Sequence, residues 1–189
     1  TTLARRLAER LGGEALLEDP DANPFLARFY EDMARYALPT QLFFLFQRSR
    51  QVEPLAQLDL FSRPTVSDFL LDKDPLFARI TLAGDELALY ERMFEALRPR
   101  APVPDLVIYL QASIDTLVHR VKKRGNPAET GIAEDYLRNL SEAYTRYFHQ
   151  YSDSPLLIVN SERLNFVACR VDPFDAAMRR VGLRPVDMS

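Results

Sequence analysis

Two short apolar runs, Leu106-Val-Ile-Tyr-Leu110 and Leu156-Leu-Ile-Val159, constrain the fold of this chain more than any other feature. Each reads as a buried strand, and helix-patterned stretches from Ser113 to Arg124 and from about Ala133 to Tyr151 lie between them. Two further strand candidates, Glu14-Ala-Leu-Leu-Glu18 and Pro64-Thr-Val-Ser-Asp68, are separated by helical segments over Phe25 to Tyr36 and Pro39 to Asp59. Short apolar strands alternating with helices predict an α/β fold, a parallel sheet covered by helices on both faces. Ligands on such sheets bind at the carboxyl ends of the strands. Glu18, Ser67-Asp68, Gln111 and Asn160 fall at those ends and are the first candidates for a site.

The remaining elements fit one domain spanning the 189 residues. The chain opens inside a helix, with apolar residues at Leu3, Ala4, Leu7, Ala8 and Leu11, and Gly12-Gly13 ends it. A natural chain seldom starts at the first turn of a buried helix, which predicts a segment upstream of Thr1. Further helices are expected over Pro75 to Leu82 and Asp85 to Leu97, followed by a proline-rich connector from Arg98 to Pro104. A last amphipathic helix is expected over Asp172 to Val181, with Asp172-Pro173 as cap and first turn. The Leu- and Phe-rich helix after Pro39 is expected to be largely buried.

The net charge of −3 provides no overall field to recruit nucleic acid or a membrane surface. No apolar run approaches the roughly 20 residues that span a bilayer. The single cysteine, Cys169, cannot form an internal disulfide, which suits a reducing cytosol. Basic groups therefore matter where they cluster. Arg120-Val-Lys-Lys-Arg124 puts four cations in five residues, and Glu129 follows five residues later. Helix-end cations favoured by the dipole explain Arg124. The turn-spaced pair Arg120 and Arg124, with Lys123 and the following Gly125-Asn-Pro, points further, to a strongly anionic ligand such as a triphosphate.

Other candidates each carry two readings. Thr1-Thr2 at a helix start is either a cap or the hydroxyl end of a phosphate-binding loop, where it would touch Mg²⁺. Glu18 is either a solvated loop acid or a general base for a hydroxyl attacking phosphorus. Tyr36 and Gln47 flank a turn into the Phe-rich helix; Gln47 can read a base edge as donor and acceptor. Phe43 and Phe44 read as core, while Phe46 serves either core packing or stacking on a base. Arg63 is either a surface arginine, in a chain with 21 of them, or a fork bridging phosphate and carboxylate.

Taken together, these residues resemble the deoxynucleoside kinase family. Leu106-Val-Ile-Tyr-Leu-Gln-Ala through Arg120 to Arg124-Gly and on to Glu129-Thr-Gly-Ile is similar to the family's strand, helix and lid. Tyr36 and Gln47, with Phe46 before the glutamine, look like its nucleoside pocket. Glu18-Asp-Pro resembles its Glu-Pro motif, and Val66-Ser-Asp-Phe-Leu-Leu-Asp-Lys-Asp-Pro-Leu-Phe77 resembles the segment after its acid-Arg-Ser motif. The likeness runs through nearly the whole chain in the family's order.

The resemblance implies a P-loop NTPase-like parallel sheet of roughly five strands, the first lying upstream of Thr1, with a lid at about 120–132. It implies ATP-dependent phosphorylation of a deoxynucleoside 5′-hydroxyl in nucleotide salvage, with Mg²⁺, in a cytoplasmic homodimer. A purine deoxynucleoside is favoured. Glu18 would be the general base, and Arg63 would hold Glu18 and the transferring phosphate. Tyr36 and Glu129 would bind the 3′-hydroxyl. Gln47 would read the base, Phe46 would stack on it, and Asp68 would lie near its far edge. Arg120, Lys123 and Arg124 would close over the ATP phosphates, and Thr1 would sit on Mg²⁺. Ser62-Arg63-Pro64 replaces the family's acid-Arg-Ser, and Asp72 falls near the expected position of a second stacking aromatic. The alternatives are a thymidylate-like monophosphate kinase, which needs an extra cation near the acceptor, and a non-catalytic homologue without the phosphate loop.

Overall fold

The computed structural model describes residues 1–57, 63–97, 102–126, 129 and 131–162. The chain divides into two compact units. The first contains Thr1–Glu18 and, among the described residues, 63–69; the second contains Asp19–Gln57 and Leu70–Glu162. The expectations at Leu58-Asp59, Ser62, Arg98 to Ala101, Cys169 and Asp172 to Val181 lie outside the described residues.

In the first unit, helix α1 (Thr2–Arg10) buries Ala4, Leu7 and Ala8, the apolar stripe legible in the sequence. Gly12 adopts φ 63°, and the chain then turns into strand β1 (Glu14–Leu16). Strand β1 pairs in parallel with β2 (Thr65–Ser67), with Glu14 opposite Thr65 and Leu16 opposite Ser67. The Glu14 N–H donates to the Pro64 carbonyl at 2.8 Å. A Cβ at Gly13 would lie 2.0 Å from that same oxygen, so only glycine lets the two backbones approach at this point.

The second unit is organised around a long helix. Helix α2 (Leu26–Glu31) stops at Asp32, which leaves helical geometry at φ −141° and caps α3 (Met33–Val52) by accepting from the Arg35 N–H at 3.2 Å. The sequence reading placed a helix boundary near Pro39; the structure moves it to Asp32. An aspartate whose carboxylate satisfies a first-turn N–H stabilises a helix start, and α3 accommodates Pro39 within its length. Tyr36 and Gln47 therefore share one helix with no turn between them. Their separation is about three helical turns, which puts them on the same side of α3.

Burial of α3 is also less complete than its composition suggests. Ala37, Leu45 and Val52 are buried, Phe43 and Phe44 only half so, and Phe46 is 43% exposed. Buried polar groups take up the rest: Thr40, Gln41 and Arg48. Arg48 forms an ion pair with Asp74, the first residue of α4 (Asp74–Thr81), and its guanidinium lies 5.1 Å from the Phe44 ring centre. Helix α5 (Gly84–Leu97) adds the fully buried Tyr90, which stacks with Phe94. Burial raises the Tyr90 phenol well above its ordinary pKa, against the opposing charge of Arg48.

Strand β3 (Val107–Gln111) pairs in parallel with β4 (Leu156–Asn160), in register from Val107 opposite Leu156 to Gln111 opposite Asn160. Helices α6 (Ile114–Arg124) and α7 (Glu134–His149) separate them in sequence. Tyr109 of β3 stacks on Phe148 of α7 at 4.4 Å, which covers that side of the pair. Burial of the strands is partial: Leu110 is 37% and Ile158 53% exposed. The parallel pairings confirm the α/β reading. No described helix is long and apolar enough to cross a membrane.

Candidate functional site

The carboxyl ends of β1 and β2 gather three of the expected residues within the first unit. Asp68 directly follows β2 and is the hub. Its Oδ1 accepts from the Glu18 N–H at 2.9 Å, and its Oδ2 accepts from the Thr1 hydroxyl at 2.9 Å. Burial raises the Asp68 carboxyl. The Glu18 N–H and the Thr1 hydroxyl act the other way, each favouring the charged carboxylate. Glu18 is half-buried, two residues beyond β1. Asp68, expected at the far edge of a base, is thus bonded to the expected general base and the expected metal-binding hydroxyl. Arg63 is exposed and, among the described residues, forms no ion pair with Glu18.

In the second unit, Gln47 is already oriented. Its Nε2 donates to the Asp19 carbonyl at 3.1 Å, and its Oε1 is buried with no partner among the described residues. This bond distinguishes the amide oxygen from the nitrogen, and leaves one acceptor and a second N–H to meet a ligand. Phe46, next to it, is the exposed aromatic of α3. Tyr36 is half-buried, with the Arg28 and Arg35 guanidinium carbons 5.8 and 5.5 Å from its ring centre.

Helix α6 has both termini specified by sequence. Ser113 caps it by accepting from the Thr116 N–H, and Gly125 at φ 63° ends it in the left-handed conformation that glycine adopts freely. The last turn carries Lys122, Lys123 and Arg124, all exposed. Arg124 forms an ion pair with Glu129 at 2.9 Å. Glu129 is only 14% exposed, and its Oε2 is buried with no partner among the described residues. The close passage of this segment is marked by Gly131, where a Cβ would come 2.9 Å from the Tyr30 carbonyl. Arg120 differs from Arg124: its guanidinium donates to the Ser161 hydroxyl at 3.1 Å and to the Ser161 carbonyl.

Two features escaped the sequence reading. Arg48 and Asp74 are ordinary charged residues in sequence; only the 9% and 2% side-chain exposures mark them as a buried pair. Ser161 lies one residue beyond Asn160, so the strand-end rule came close to it, but a serine gives no signal of its own.

The deoxynucleoside kinase family profile matches residues 1–179. The chain is 31% identical over 177 residues to the deoxyguanosine kinase of Bacillus subtilis, covering 91% of this chain and 86% of that protein. It is 31% identical over 181 residues to the deoxyadenosine kinase of Lactobacillus acidophilus, covering 88% and 82%. The fold is that of the Mycoplasma mycoides deoxyadenosine kinase, solved with bound dATP: TM-score 0.79 at 24% identity, over 96% of this chain and 93% of that one.

Proposed function

This chain belongs to the deoxynucleoside kinase family and is a phosphotransferase of nucleoside salvage, and we propose that it transfers the γ-phosphoryl group of ATP to the 5′-hydroxyl of a purine deoxynucleoside. The observation that carries the reading is the Arg124–Glu129 pair. It sets a cation suited to phosphate beside a carboxylate suited to a sugar hydroxyl, as a kinase with a polyphosphate donor and a sugar acceptor requires. The purine preference is supported by the named relatives, a deoxyguanosine and a deoxyadenosine kinase.

In this mechanism Glu18 accepts the 5′-hydroxyl proton as that oxygen attacks the γ-phosphorus. The bond from the γ-phosphorus to the bridging oxygen breaks, and ADP leaves. Arg63 neutralises charge on the transferring group. Arg124 and Lys123 meet the donor phosphates, because phosphoryl transfer is limited by positioning and charge more than by covalent chemistry. Tyr36 and the inner oxygen of Glu129 hold the 3′-hydroxyl. Gln47, fixed by Asp19, offers an acceptor and a donor to the base, and Phe46 stacks on it. The Thr1 hydroxyl and the Asp68 carboxylate form an oxygen donor set of the hard type that Mg²⁺ prefers. Mg²⁺, when bound with the nucleotide, would offset the phosphate charge. The protein is read as a cytoplasmic homodimer, which sedimentation of the purified protein would check.

The test is a panel. The full-length protein, including any residues its gene encodes before Thr1, is incubated with ATP, Mg²⁺ and each of the four common deoxynucleosides. The expected products are the 5′-monophosphates of deoxyadenosine or deoxyguanosine, formed faster than those of deoxycytidine or thymidine. Phosphorylation of none of the four would overturn the reading; a pyrimidine preference would overturn its purine part.

A further inference from the structure

The loop from Asp19 to Phe25 starts at the proposed general base, since Glu18 and Asp19 share a peptide bond. Most of the loop faces water: Asp19, Pro20, Asp21, Ala22 and Pro24 are exposed. The residue it buries is polar. Asn23 is 5% exposed, and burying an amide is costly unless it is hydrogen-bonded. Every part of Asn23 is bonded. Its N–H donates to the Pro20 carbonyl at 3.0 Å, and its carbonyl accepts from the Leu26 N–H at 3.3 Å. Its Oδ1 accepts from the Phe25 N–H at 3.0 Å, an Asx turn made with the residue two ahead. Its Nδ2 reaches out of the loop and donates to the Thr40 carbonyl of α3 at 3.2 Å. Pro24 adds a local reason for this geometry. A residue before proline is pushed to extended backbone, and Asn23 lies at φ −82°, ψ 107°. At the other end of the loop, the Asp19 carbonyl accepts from Gln47, about two turns beyond Thr40 on α3.

We propose that Asn23 is a positioning residue for phosphoryl transfer: its bond to the Thr40 carbonyl pins the Asp19–Phe25 loop to α3, and the pinned loop restricts the peptide that carries Glu18. The two side-chain bonds of Asn23 do different things. The Asx turn shapes the end of the loop and is purely local. The Nδ2 bond joins the loop to the middle of a long helix 17 residues away. With the loop held at Thr40 and at Gln47, its Asp19 end has little freedom, and a proton acceptor attached to that end keeps one place. Proton transfer requires the acceptor within hydrogen-bond reach, and a misplacement of about 1 Å costs up to ~10²-fold in rate. An amide suits the position because it offers an acceptor to Phe25 and a donor to Thr40 at once; a carboxylate offers only acceptors. The inference rests on the kinase reading above, since it assigns how that enzyme's proposed general base is held.

Two variants of the full-length enzyme separate the pin from the turn. Asn23→Ser keeps a short acceptor for the Phe25 N–H and is too short to reach Thr40, whereas Asn23→Ala loses both bonds. The readouts are the rate constant of a single turnover with enzyme in saturating excess, which does not depend on the folded fraction, the KM for ATP, and hydrogen exchange of the loop amides. All are taken well below the melting temperature of each variant. Both variants are expected to slow the single turnover about tenfold. The KM for ATP should stay within about twofold of wild type. Exchange should speed up across Asp19–Phe25 while α3 stays protected. Should Asn23→Ala fail to fold, Asn23→Asp, which keeps the turn and puts an oxygen against the Thr40 carbonyl, takes its place with the same expectation. If Asn23→Ser keeps the wild-type single-turnover rate while its loop exchanges faster, the pin does not hold the base and the proposal is wrong. A loss confined to the melting temperature, or a rise in the KM for ATP that matches the loss in rate, overturns it equally. A wild-type enzyme that phosphorylates no deoxynucleoside would instead sink the kinase reading itself.

Discussion

The two strand pairs end differently. At the carboxyl ends of β1 and β2 the hub is an acid: Asp68 collects the Glu18 N–H and the Thr1 hydroxyl, and Glu18 adds a second carboxylate. At the carboxyl ends of β3 and β4 the hub is a neutral serine, and what it collects is an arginine. Both are the same piece of parallel-sheet geometry, and the side chains set opposite electrostatics. An edge rich in carboxylates suits a proton acceptor and a hard cation. An edge that fastens a helix ending in Lys122, Lys123 and Arg124 suits an anionic ligand. Strand-end position therefore nominates a candidate site, and the charge of the hub suggests which part of the proposed chemistry that edge would serve.

The contrast is open to direct attack. The largest effect is expected at the acidic edge. Glu18→Gln removes the proposed proton acceptor and should lower kcat by about 10²–10⁴-fold with little change in nucleoside KM; a comparable rise in KM with kcat intact would show that the edge binds rather than catalyses. Gln47→Ala comes next. Losing a preoriented amide should raise the nucleoside KM roughly tenfold to a hundredfold and narrow the gap between bases, as measured by competition between deoxynucleosides. Arg124→Ala should raise the KM for ATP by about tenfold, with the effect shrinking at high salt because the residue is exposed. A loss of kcat at saturating ATP, with KM unchanged, would move Arg124 out of the binding role.

The smallest effect concerns Asp68. The Glu18 N–H and the Thr1 hydroxyl both favour its charged form in the folded chain, so the stability they contribute is present above the unfolded-state pKa and is lost as the carboxylate is protonated in acid. Asp68→Asn should cost roughly 1 kcal/mol at pH near 7, with the difference shrinking in acid. Urea unfolding of both proteins at neutral and acidic pH measures it; a difference independent of pH would assign the cost to packing rather than charge.

Much of the layout was readable from sequence because it depends on local rules. Apolar runs of strand length and the helix pattern from Ser113 to Arg124 are decided by residues within a few positions of one another, and the elements fall within a residue of where expected. The start of α3 was misplaced because Pro39 and Asp32 both signal a helix start, and which one prevails depends on how the chain packs. The candidate residues, some of them at strand ends, were legible as a set. The pairing within it was not: Asp68 with Glu18 joins residues 50 apart, and Arg120 with Ser161 joins residues 41 apart.

That separation marks the boundary between what the sequence determined by itself and what only the tertiary structure decided. Alternation of strand and helix patterns, the helix caps, the cation cluster and the family motifs are short-range or order-based properties, and the linear text carries them whole. The commitment of each charged group is different. Arg120 and Arg124 are the same residue type one turn apart on the same helix, yet one grips a buried serine and the other, itself exposed, pairs with a largely buried carboxylate. A guanidinium bonds to whichever oxygens the fold brings within reach, and those oxygens come from distant parts of the chain.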